Sequence, residues 1–278
     1  MRIASAAILA LLILTSCQKE LVTSEESINA ETVSSDAAGP GEFANCKLRR
    51  IVHEHGGVRD LLINGLFTYN SAGNPISLTY VDGGTGNPNQ YFFYDKQNRL
   101  REWRSAYDPN SVMESYTHKY GYDQNGVLAV DTFLFHAKFD WNEENQDLIF
   151  TGWGDTTVSL LTYDSQGRVV KESIRDLSTG KVRNPTYTYD NRGNIGVLGW
   201  RSSSYDNKVS IYRAHPVFQF IFRNYSRNNA APVAKYNSRG LPLSVDGTAM
   251  NDNFFQAYPA FPAEYYKGGI YKLIYDCQ

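Results

Sequence analysis

The chain has 278 residues, a formal net charge of −2 at pH 7 and a high aromatic content of 20 Tyr, 14 Phe and 4 Trp. This length can bury a sizeable core, and the abundance of aromatic residues and Gly excludes a collagen, a coiled coil or a fully disordered chain. Because there is no excess of basic charge to neutralise phosphates, the composition also argues against nucleic acid as a partner.

The N-terminus has the features of an export signal. Met1-Arg2 gives a positive start, and residues 3–14 form an uncharged run of 12 residues, which is too short to span a bilayer and is typical of a signal-peptide hydrophobic region. The run ends in Leu14-Thr15-Ser16-Cys17, which resembles the lipobox of bacterial lipoproteins. The resemblance implies cleavage after residue 16 and acylation of Cys17, so that lipid chains anchor the protein to a bilayer. An ordinary secretory signal followed by an incidental Cys is the alternative.

The segment after the signal has the composition of a disordered acidic tether. Residues 18–45 contain six acidic side chains, one Lys and one Phe, and so little apolar surface cannot repay the entropy of folding. This segment carries a net charge of −5, whereas residues 46–278, with 25 Lys and Arg against 23 Asp and Glu, carry +2. We therefore expect a signal peptide at 1–16, a tether at 17–45 and a single domain at 46–278.

Gln18-Lys19-Glu20 directly follows the Cys of the lipobox. The tripeptide resembles in part the export signal of Bacteroidota lipoproteins that are displayed on the cell surface. The resemblance implies an outer-membrane lipoprotein of the cell envelope, and the sequence leaves open whether the protein faces the periplasm or the cell surface.

Six copies of one short phrase, Tyr-[Asp/Asn]-x-x-[Gly/Asn], recur through the domain. In such a phrase Asp or Asn accepts backbone N–H bonds at the start of a turn, and Gly or Asn takes the positive-φ position that closes a hairpin. The phrase therefore predicts a hairpin turn at each copy. The copies begin at Tyr69, Tyr94, Tyr122, Tyr163, Tyr189 and Tyr236.

The residues on either side of each phrase indicate strands. An aliphatic residue lies two positions after the closing Gly or Asn in four copies, and Pro75 or Pro242 takes that place in the other two. Since Pro cannot donate to a ladder, we expect the strands that begin there to be edge strands or to be bulged. Aromatic residues two positions apart, which share one face of a strand, precede four of the turns: Phe67/Tyr69, Phe92/Tyr94, Tyr120/Tyr122 and Tyr187/Tyr189.

Two longer intervals between phrases have room for further elements. The segments 133–141 and 148–153 are predicted to form one extra hairpin, and 200–205 with 208–212 another. From Pro216 to Tyr225 apolar residues recur with helical spacing behind a Pro suited to the first helical position, although a buried strand fits about as well. The prediction is an all-β fold, an antiparallel meander of hairpins rolled or closed into a barrel-like sheet, with one short helix near 216–225.

The repeated phrases resemble the YD repeats of RHS-type proteins. Together with the lipobox, the Cys46-Lys47-Leu48 opening and the His215-Pro216 segment, they also resemble a Bacteroidota lipoprotein family of unknown function whose domain is described as porin-like. The resemblance covers most of residues 46–278 and implies a fold. It implies no catalytic residue, because neither family pattern supplies one that matches a position here.

With Cys17 acylated, Cys46 and Cys277 are the remaining thiols. Both lie in an oxidising compartment, so we predict a disulfide between them; two buried free thiols are the alternative. The bond would place the first and last strands side by side, which favours a closed barrel or a rolled sheet over an open one.

Few residues suggest catalysis or metal binding. His53-Glu54-His55 places two imidazoles on one strand face, but a metal site needs further ligands, so we expect no metal and no cofactor. His118 and His136 lie among aromatic residues and are interpreted as core or rim residues. Facing carboxylates can hydrolyse glycosides, but a solvated loop is the favoured interpretation of the acidic stretch Asp140, Glu143, Glu144, Asp147 and Asp155.

The four Trp residues are the candidates for ligand binding. If their strands face an open groove, they offer stacking platforms for a glycan or a peptide. The expected function is a non-enzymatic binding or structural role in a lipid-anchored envelope protein, with a carbohydrate hydrolase and a membrane-embedded barrel as the alternatives. The candidates are Trp103, Trp141, Trp153 and Trp200.

Overall fold

The computed structural model describes residues 46–55, 58–81, 88–110, 116–144, 146–196, 205–230, 233–246 and 270–277. Cys17, the signal peptide, the tether and Trp200 lie outside the described residues. The acylation of Cys17 and the domain boundaries therefore stay predictions.

The described residues form fifteen strands and one α-helix, which confirms the all-β prediction. A 3₁₀ turn at Ile211–Ala214 precedes the helix. The elements in chain order are β1 Cys46–His55, β2 Val58–Tyr69, β3 Pro75–Tyr80, β4 Asn89–Tyr94, β5 Leu100–Ala106, β6 Tyr116–Tyr122, β7 Leu128–Asn142, β8 Asp147–Tyr163, β9 Val169–Asp176, β10 Val182–Arg183, β11 Tyr205–Val209, α1 Pro216–Ile221, β12 Asn228–Ala230, β13 Val233–Tyr236, β14 Pro242–Asp246 and β15 Ile270–Cys277.

Thirteen of the strands form one sheet in the order β10-β9-β8-β7-β6-β5-β4-β3-β2-β1-β15-β14-β13. Every pair of neighbours is antiparallel, and β1 pairs with β15 in a register that places Cys46 opposite Cys277. The predicted disulfide between these two residues is present, with Cα atoms 4.0 Å apart. The first and last strands therefore lie side by side, as the sequence predicts.

Of the two alternatives in the fold prediction, a rolled sheet and a closed barrel, the described residues do not form the closed barrel. In the described part of the chain the ladder ends at β10 on one side and at β13 on the other. Beyond β10, single bridges continue the pairing, from Lys171 to Thr186 and from Tyr189 to Ile195, whereas β11 and β12 form a separate two-stranded sheet. The β1–β15 pair lies inside the ladder, so the disulfide does not join its two outer edges.

The sheet is nevertheless rolled, and the small sheet links its two ends. Arg192, in the turn that follows β10, donates to the carbonyl of Tyr205 in β11 at 3.3 Å. On the other side Tyr236, at the end of β13, donates to the carboxylate of Asp206. Side-chain contacts, rather than a strand ladder, therefore connect the outer edges.

The repeated phrase forms the same turn in each of its six copies. In the copy that begins at Tyr94, the backbone N–H of Asp95 donates to the carbonyl of Arg99, and the N–H of Asn98 donates back to the carbonyl of Asp95. The Asp95 carboxylate also accepts the backbone N–H groups of Gln97 and Arg99, each at 2.9 Å. The closing residue has positive φ in every copy: Gly73, Asn98, Gly126, Gly167, Gly193 and Gly240.

A β-bulge accompanies these turns, and it corrects the expectation attached to Pro75 and Pro242. Both β3 and β14 have a neighbour on each side, so neither is an edge strand. A register shift does occur at Tyr69↔Pro75, but the same shift occurs at Tyr94↔Leu100, where no Pro is present. The bulge therefore belongs to the turn and not to the proline.

In four of the six copies the Tyr that opens the phrase joins its hairpin to an earlier strand. Its hydroxyl donates to a backbone carbonyl near the start of that strand, so that the hairpin is fixed to the part of the sheet before it. Because the accepting carbonyl is backbone, the side chain of the accepting residue is free to vary. The four pairs are Tyr69 to Leu48 at 2.7 Å, Tyr94 to Pro75 at 2.8 Å, Tyr122 to Leu100 at 2.7 Å and Tyr189 to Val169 at 3.0 Å. Two tyrosines outside the phrases make the same contact, Tyr205 to Ile195 at 2.8 Å and Tyr275 to Pro242 at 2.9 Å.

The two extra hairpins have different outcomes. Residues 133–141 and 148–153 lie in β7 and β8, which pair as predicted. The second hairpin is wrong, because Tyr205 and Lys208 lie in the same strand, β11, which pairs with β12. Residues 211–214 form the 3₁₀ turn instead of a returning strand.

The helix predicted behind Pro216 is confirmed for its first six residues. The backbone N–H of Val217 donates to Nδ1 of His215 at 3.2 Å, and Pro216 takes the first helical turn, where its missing N–H costs nothing. The helix ends at Ile221, and Arg223 then adopts φ +51°. The alternative of a buried strand is therefore wrong.

The core lies between the inner face of the rolled sheet and this helical segment. Phe218 is 1% exposed and contacts Phe67 of β2, with ring centroids 5.5 Å apart. Phe220 meets Tyr120 of β6 edge-on at 5.1 Å. The aromatic residues that precede the turns therefore pack mainly on the helical segment.

Candidate functional site

Five aromatic residues line the inner face of β5, β6 and β7, and one of them, Trp103, also packs against the core, where it meets Phe222 edge-on at 6.1 Å. The alternation of each strand brings one of its faces inward, and the ladder sets Trp103 opposite His118 and His118 opposite Phe133. All five side chains are only partly buried. We call this surface the inner aromatic strip and define it as Trp103, Tyr116, His118, Phe133 and Phe135.

The rings of the strip are in contact with one another. The His118 imidazole lies between the indole of Trp103, at 4.9 Å and 18°, and the ring of Phe133, at 4.6 Å and 33°. Phe135 stacks on Phe133 at 5.7 Å, and Tyr116 meets Trp103 edge-on at the same distance. The strip is therefore a continuous aromatic surface across three strands.

Hydrogen bonds fix the orientation of Trp103 at one end of the strip. Its indole Nε1–H donates to Oε1 of Gln90 at 2.9 Å, and the Nε2 of Gln90 donates to the hydroxyl of Ser105 at 3.1 Å. Gln90 and Ser105 are both buried. The indole plane is therefore held in place before any ligand arrives.

A chain of charged groups anchors the strip to the helical segment. Nδ1 of His118 lies 2.9 Å from a carboxylate oxygen of Asp131, and the other oxygen of Asp131 accepts from Arg223 at 2.8 Å. The same guanidinium donates to Glu172 at 3.0 Å, which also accepts from the hydroxyl of Tyr187 at 2.6 Å. Both buried carboxylates are therefore paired with a cation.

These contacts determine the ionisation of the buried groups. Burial by itself would raise the pKa of Asp131, but hydrogen bonds and charge from His118 and Arg223 outweigh it and lower the pKa below its usual value. Burial, reinforced by the Asp131 charge, raises the pKa of Tyr120 well above 10. The Tyr120 hydroxyl is buried and has no hydrogen-bond partner among the described residues.

The structure brings only one of the four predicted Trp residues into the strip, namely Trp103. Trp153 is partly buried on β8, opposite position 137 and two register positions beyond Phe135. Trp141 lies on β7, where only its backbone is among the described atoms, and Trp200 lies outside the described residues. The role of the four as a joint stacking platform therefore stays a prediction.

Sequence reasoning missed the other members of the strip. It interpreted His118 as a core or rim residue and gave no role to Tyr116, Phe133 or Phe135. The signal was present in the alternation of Tyr116, His118 and Tyr120 and of Asp131, Phe133 and Phe135. Rings on two strands form one surface only if the strands are neighbours and their register places the rings side by side on one face. The sequence does not show that register.

The remaining candidates do not assemble into a site. The described residues contain no group of three His, Cys, Asp or Glu that could hold a metal ion. His53 and His55 lie on β1, and their side chains are outside the described part. The acidic stretch is a loop only in part: Glu143 and Glu144 are exposed in the turn between β7 and β8, whereas Asp140 lies in β7 and Asp147 and Asp155 lie in β8.

Comparison with known proteins adds little to this description. No protein-family model matches the chain, and no curated protein matches it. The crystal structure of a porin-like protein from Bacteroides vulgatus ATCC 8482 is similar with a TM-score of 0.35 and 12% identity, over 84% of this chain and 99% of that chain.

Two further solved structures are similar over a smaller share. TcdB2-TccC3-TEV matches with a TM-score of 0.29 and 14% identity over 68% of this chain, and TcdB2-TccC3-Cdc42 with 0.27 and 15% over 66%. This chain spans only 9% of the length of each. At TM-scores this low the likeness carries no argument about fold or function.

Proposed function

We propose that the protein is a lipid-anchored envelope protein that binds a glycan, without catalysis, on the inner aromatic strip. The observation that carries the proposal is the continuous surface of partly exposed rings across β5, β6 and β7. Aromatic surfaces with a few fixed polar groups are typical of ligand sites.

The polar groups at the strip favour a ligand that offers both apolar faces and hydroxyls. Nδ1 of His118 is engaged by Asp131, and Nε2 has no hydrogen bond to the described residues. Nε2 is therefore left to form a hydrogen bond with a ligand hydroxyl. The C–H faces of a sugar ring would stack on Trp103, whose plane is fixed by Gln90. A peptide is the second ligand class that such rings accept.

The ionisation of the carboxylates supports binding rather than hydrolysis. A glycoside hydrolase needs a carboxylic acid with a raised pKa as proton donor beside a second carboxylate. Here the pKa of Asp131 is lowered, and Asp131 and Glu172 both bind Arg223. This arrangement keeps Asp131 ionised and unable to donate a proton.

The proposed location rests on the sequence of the N-terminus. The lipobox ending at Cys17 supports acylation and an outer-membrane anchor. In the described part of the chain, no helix is both long enough and apolar enough to cross a membrane.

The test is a glycan array probed with the purified lipoprotein in neutral detergent, followed by titration of each hit. We expect Trp103→Ala to lower the affinity for a bound glycan about fivefold, because a ring–ligand stack is worth about 1 kcal/mol. Tyr189→Phe, a change at a turn far along the chain from the strip, is the matched control and should leave affinity unchanged. Binding of peptides but no glycan, or equal affinity in Trp103→Ala, would contradict the proposal.

A further inference from the structure

The β7–β8 hairpin extends well beyond the strands that flank it. The two strands are paired from Val130↔Leu160 to Asn142↔Asp147, with one register shift between Lys138 and Phe139. On one side, β6 pairs with β7 only as far as Leu134, and on the other β9 pairs with β8 only from Thr157. We call residues 136–155 the arm, and no other strand of the described residues pairs with either of its edges.

The arm has the length and exposure of an interaction element. The part of β7 that belongs to the arm, residues 136–142, is about 23 Å long at about 3.3 Å per residue. Near the tip, Asp140, Glu143, Glu144 and Ile149 are all exposed, Ile149 by 48%. An exposed apolar residue on an unpaired strand edge is a site where another strand can add.

The charge of the arm decides which strand it attracts. Residues 136–155 contain five acidic residues and one Lys, a net charge of −4, although the domain as a whole carries +2. A second copy of the arm would meet like charge, so pairing of two arms is disfavoured. Nucleic acid and other anionic ligands are disfavoured for the same reason, whereas a basic segment is attracted.

The two edges of the arm are not equivalent. The β7 edge contains the exposed Lys138, which would repel a basic strand. The β8 segment from Asp147 to Gly152 contains an acidic residue, the exposed Ile149 and no basic residue. The bulge opposite Lys138–Phe139 lies between Phe150 and Gly152, near the inner end of this β8 segment.

From this we propose that the arm docks a basic, extended segment of a partner protein, which adds as a strand to the β8 edge at residues 147–152. Backbone hydrogen bonds along the edge would supply the pairing, and Lys or Arg side chains would meet the arm's carboxylates. This proposal does not depend on glycan binding at the inner aromatic strip, because the arm's outer residues lie beyond that strip along β7 and β8.

The test uses the full lipoprotein in neutral detergent and two labelled ten-residue peptides, one alternating Lys and Thr and the other alternating Glu and Thr. Fluorescence anisotropy should show binding of the Lys peptide that weakens as salt rises and no binding of the Glu peptide. Hydrogen exchange of the amides at 147–152 should slow when the Lys peptide binds. Equal binding of both peptides, no binding at low salt, or unchanged exchange would each overturn the proposal.

A matched pair of variants separates docking at the arm from general charge attraction. Ile149→Lys should weaken binding of the Lys peptide at least tenfold. Leu160→Lys makes the same change at another exposed position of β8, where β9 already covers the edge, and should change affinity less than twofold. An equal loss in both variants would place the binding elsewhere, and a dimer of the unmodified protein in sedimentation would assign the arm to self-association instead.

Discussion

Arg223 shows how a single side chain links distant parts of the chain. It is 8% exposed and donates to Asp131 and Glu172, which are 92 and 51 residues away along the chain. The same guanidinium donates to the carbonyl of Phe220 at the end of α1. To do this, Arg223 adopts φ +51°, a conformation that is unfavourable for a residue with a side chain. The burial of a fully paired guanidinium compensates this backbone cost.

Replacing Arg223 should therefore be severely destabilising. Arg223→Met leaves the buried Glu172 without a counter-charge and Asp131 with only His118 as its partner, which costs about 3 to 5 kcal/mol of unfolding free energy, measured by urea denaturation. Arg175→Met, at an exposed position of β9, is the control and should change stability by less than about 0.5 kcal/mol. Adding Asp131→Asn and Glu172→Gln to Arg223→Met should recover part of the loss; no recovery would show that the ion pairs are not the cause.

At the scale of the element, the repeated turn is a self-contained unit. The carboxylate of Asp164 accepts the backbone N–H groups of Gln166 and Arg168 at 2.9 and 3.0 Å and binds the Arg168 side chain at 2.8 Å. Burial would raise the pKa of Asp164, but the hydrogen bonds from Arg168 and Gln166 outweigh it and lower the pKa. Asn70 and Asn237 accept backbone N–H groups in the same way in their copies, so the turn does not require a charge.

Two substitutions at Asp164 should separate the turn from the ion pair. Asp164→Ala removes all three contacts and should cost about 1 to 2 kcal/mol, whereas Asp164→Asn keeps the backbone contacts and should cost less. Because the folded pKa is lowered, the carboxylate stabilises the protein above about pH 4 and loses this effect as the pH falls. Urea denaturation between pH 3 and 7 should therefore show Asp164→Asn approaching the unmodified protein at low pH. Equal losses in both variants would contradict this account.

For the whole molecule, the β1–β15 pair determines how the sheet is assembled. It joins the two ends of the described domain by a ladder from Cys46↔Cys277 to Glu54↔Ile270. The disulfide at the end of this ladder connects residues 231 positions apart. The cross-link restricts the unfolded chain strongly, because the entropy removed grows with the length of the loop.

Removing the disulfide should lower the stability without removing the fold. The chain-entropy relation gives about 5 kcal/mol for a loop of this length, and we expect a loss of up to that size in the double variant Cys46→Ala with Cys277→Ala. Guanidinium denaturation of the variant, compared with the oxidised protein, measures the loss. Unchanged stability would contradict the chain-entropy account of this disulfide.

How well a feature could be predicted from the sequence depends on how far apart along the chain its interacting residues lie. The six turns were predictable because their hydrogen bonds join residues at most four positions apart, as between Asn70 and Asn74. The short helix was predictable from Pro216 and the spacing behind it. The pairing of β11 with β12 was not, because its partners Tyr205 and Ala230 are separated by the whole helical segment.

The sequence by itself determined the hairpins, their bulge-forming turns, the aromatic residues on the incoming strands and the pairing of Cys46 with Cys277. Tertiary structure decided that the sheet is rolled but not closed, that Arg223 joins β7 to β9, and that Trp103, His118 and Phe133 form one surface. The physical reason is that turn geometry depends on neighbouring residues, whereas a surface across strands depends on register. Register is set by every turn and bulge between the strands, and a shift of one residue would turn each ring to the other face.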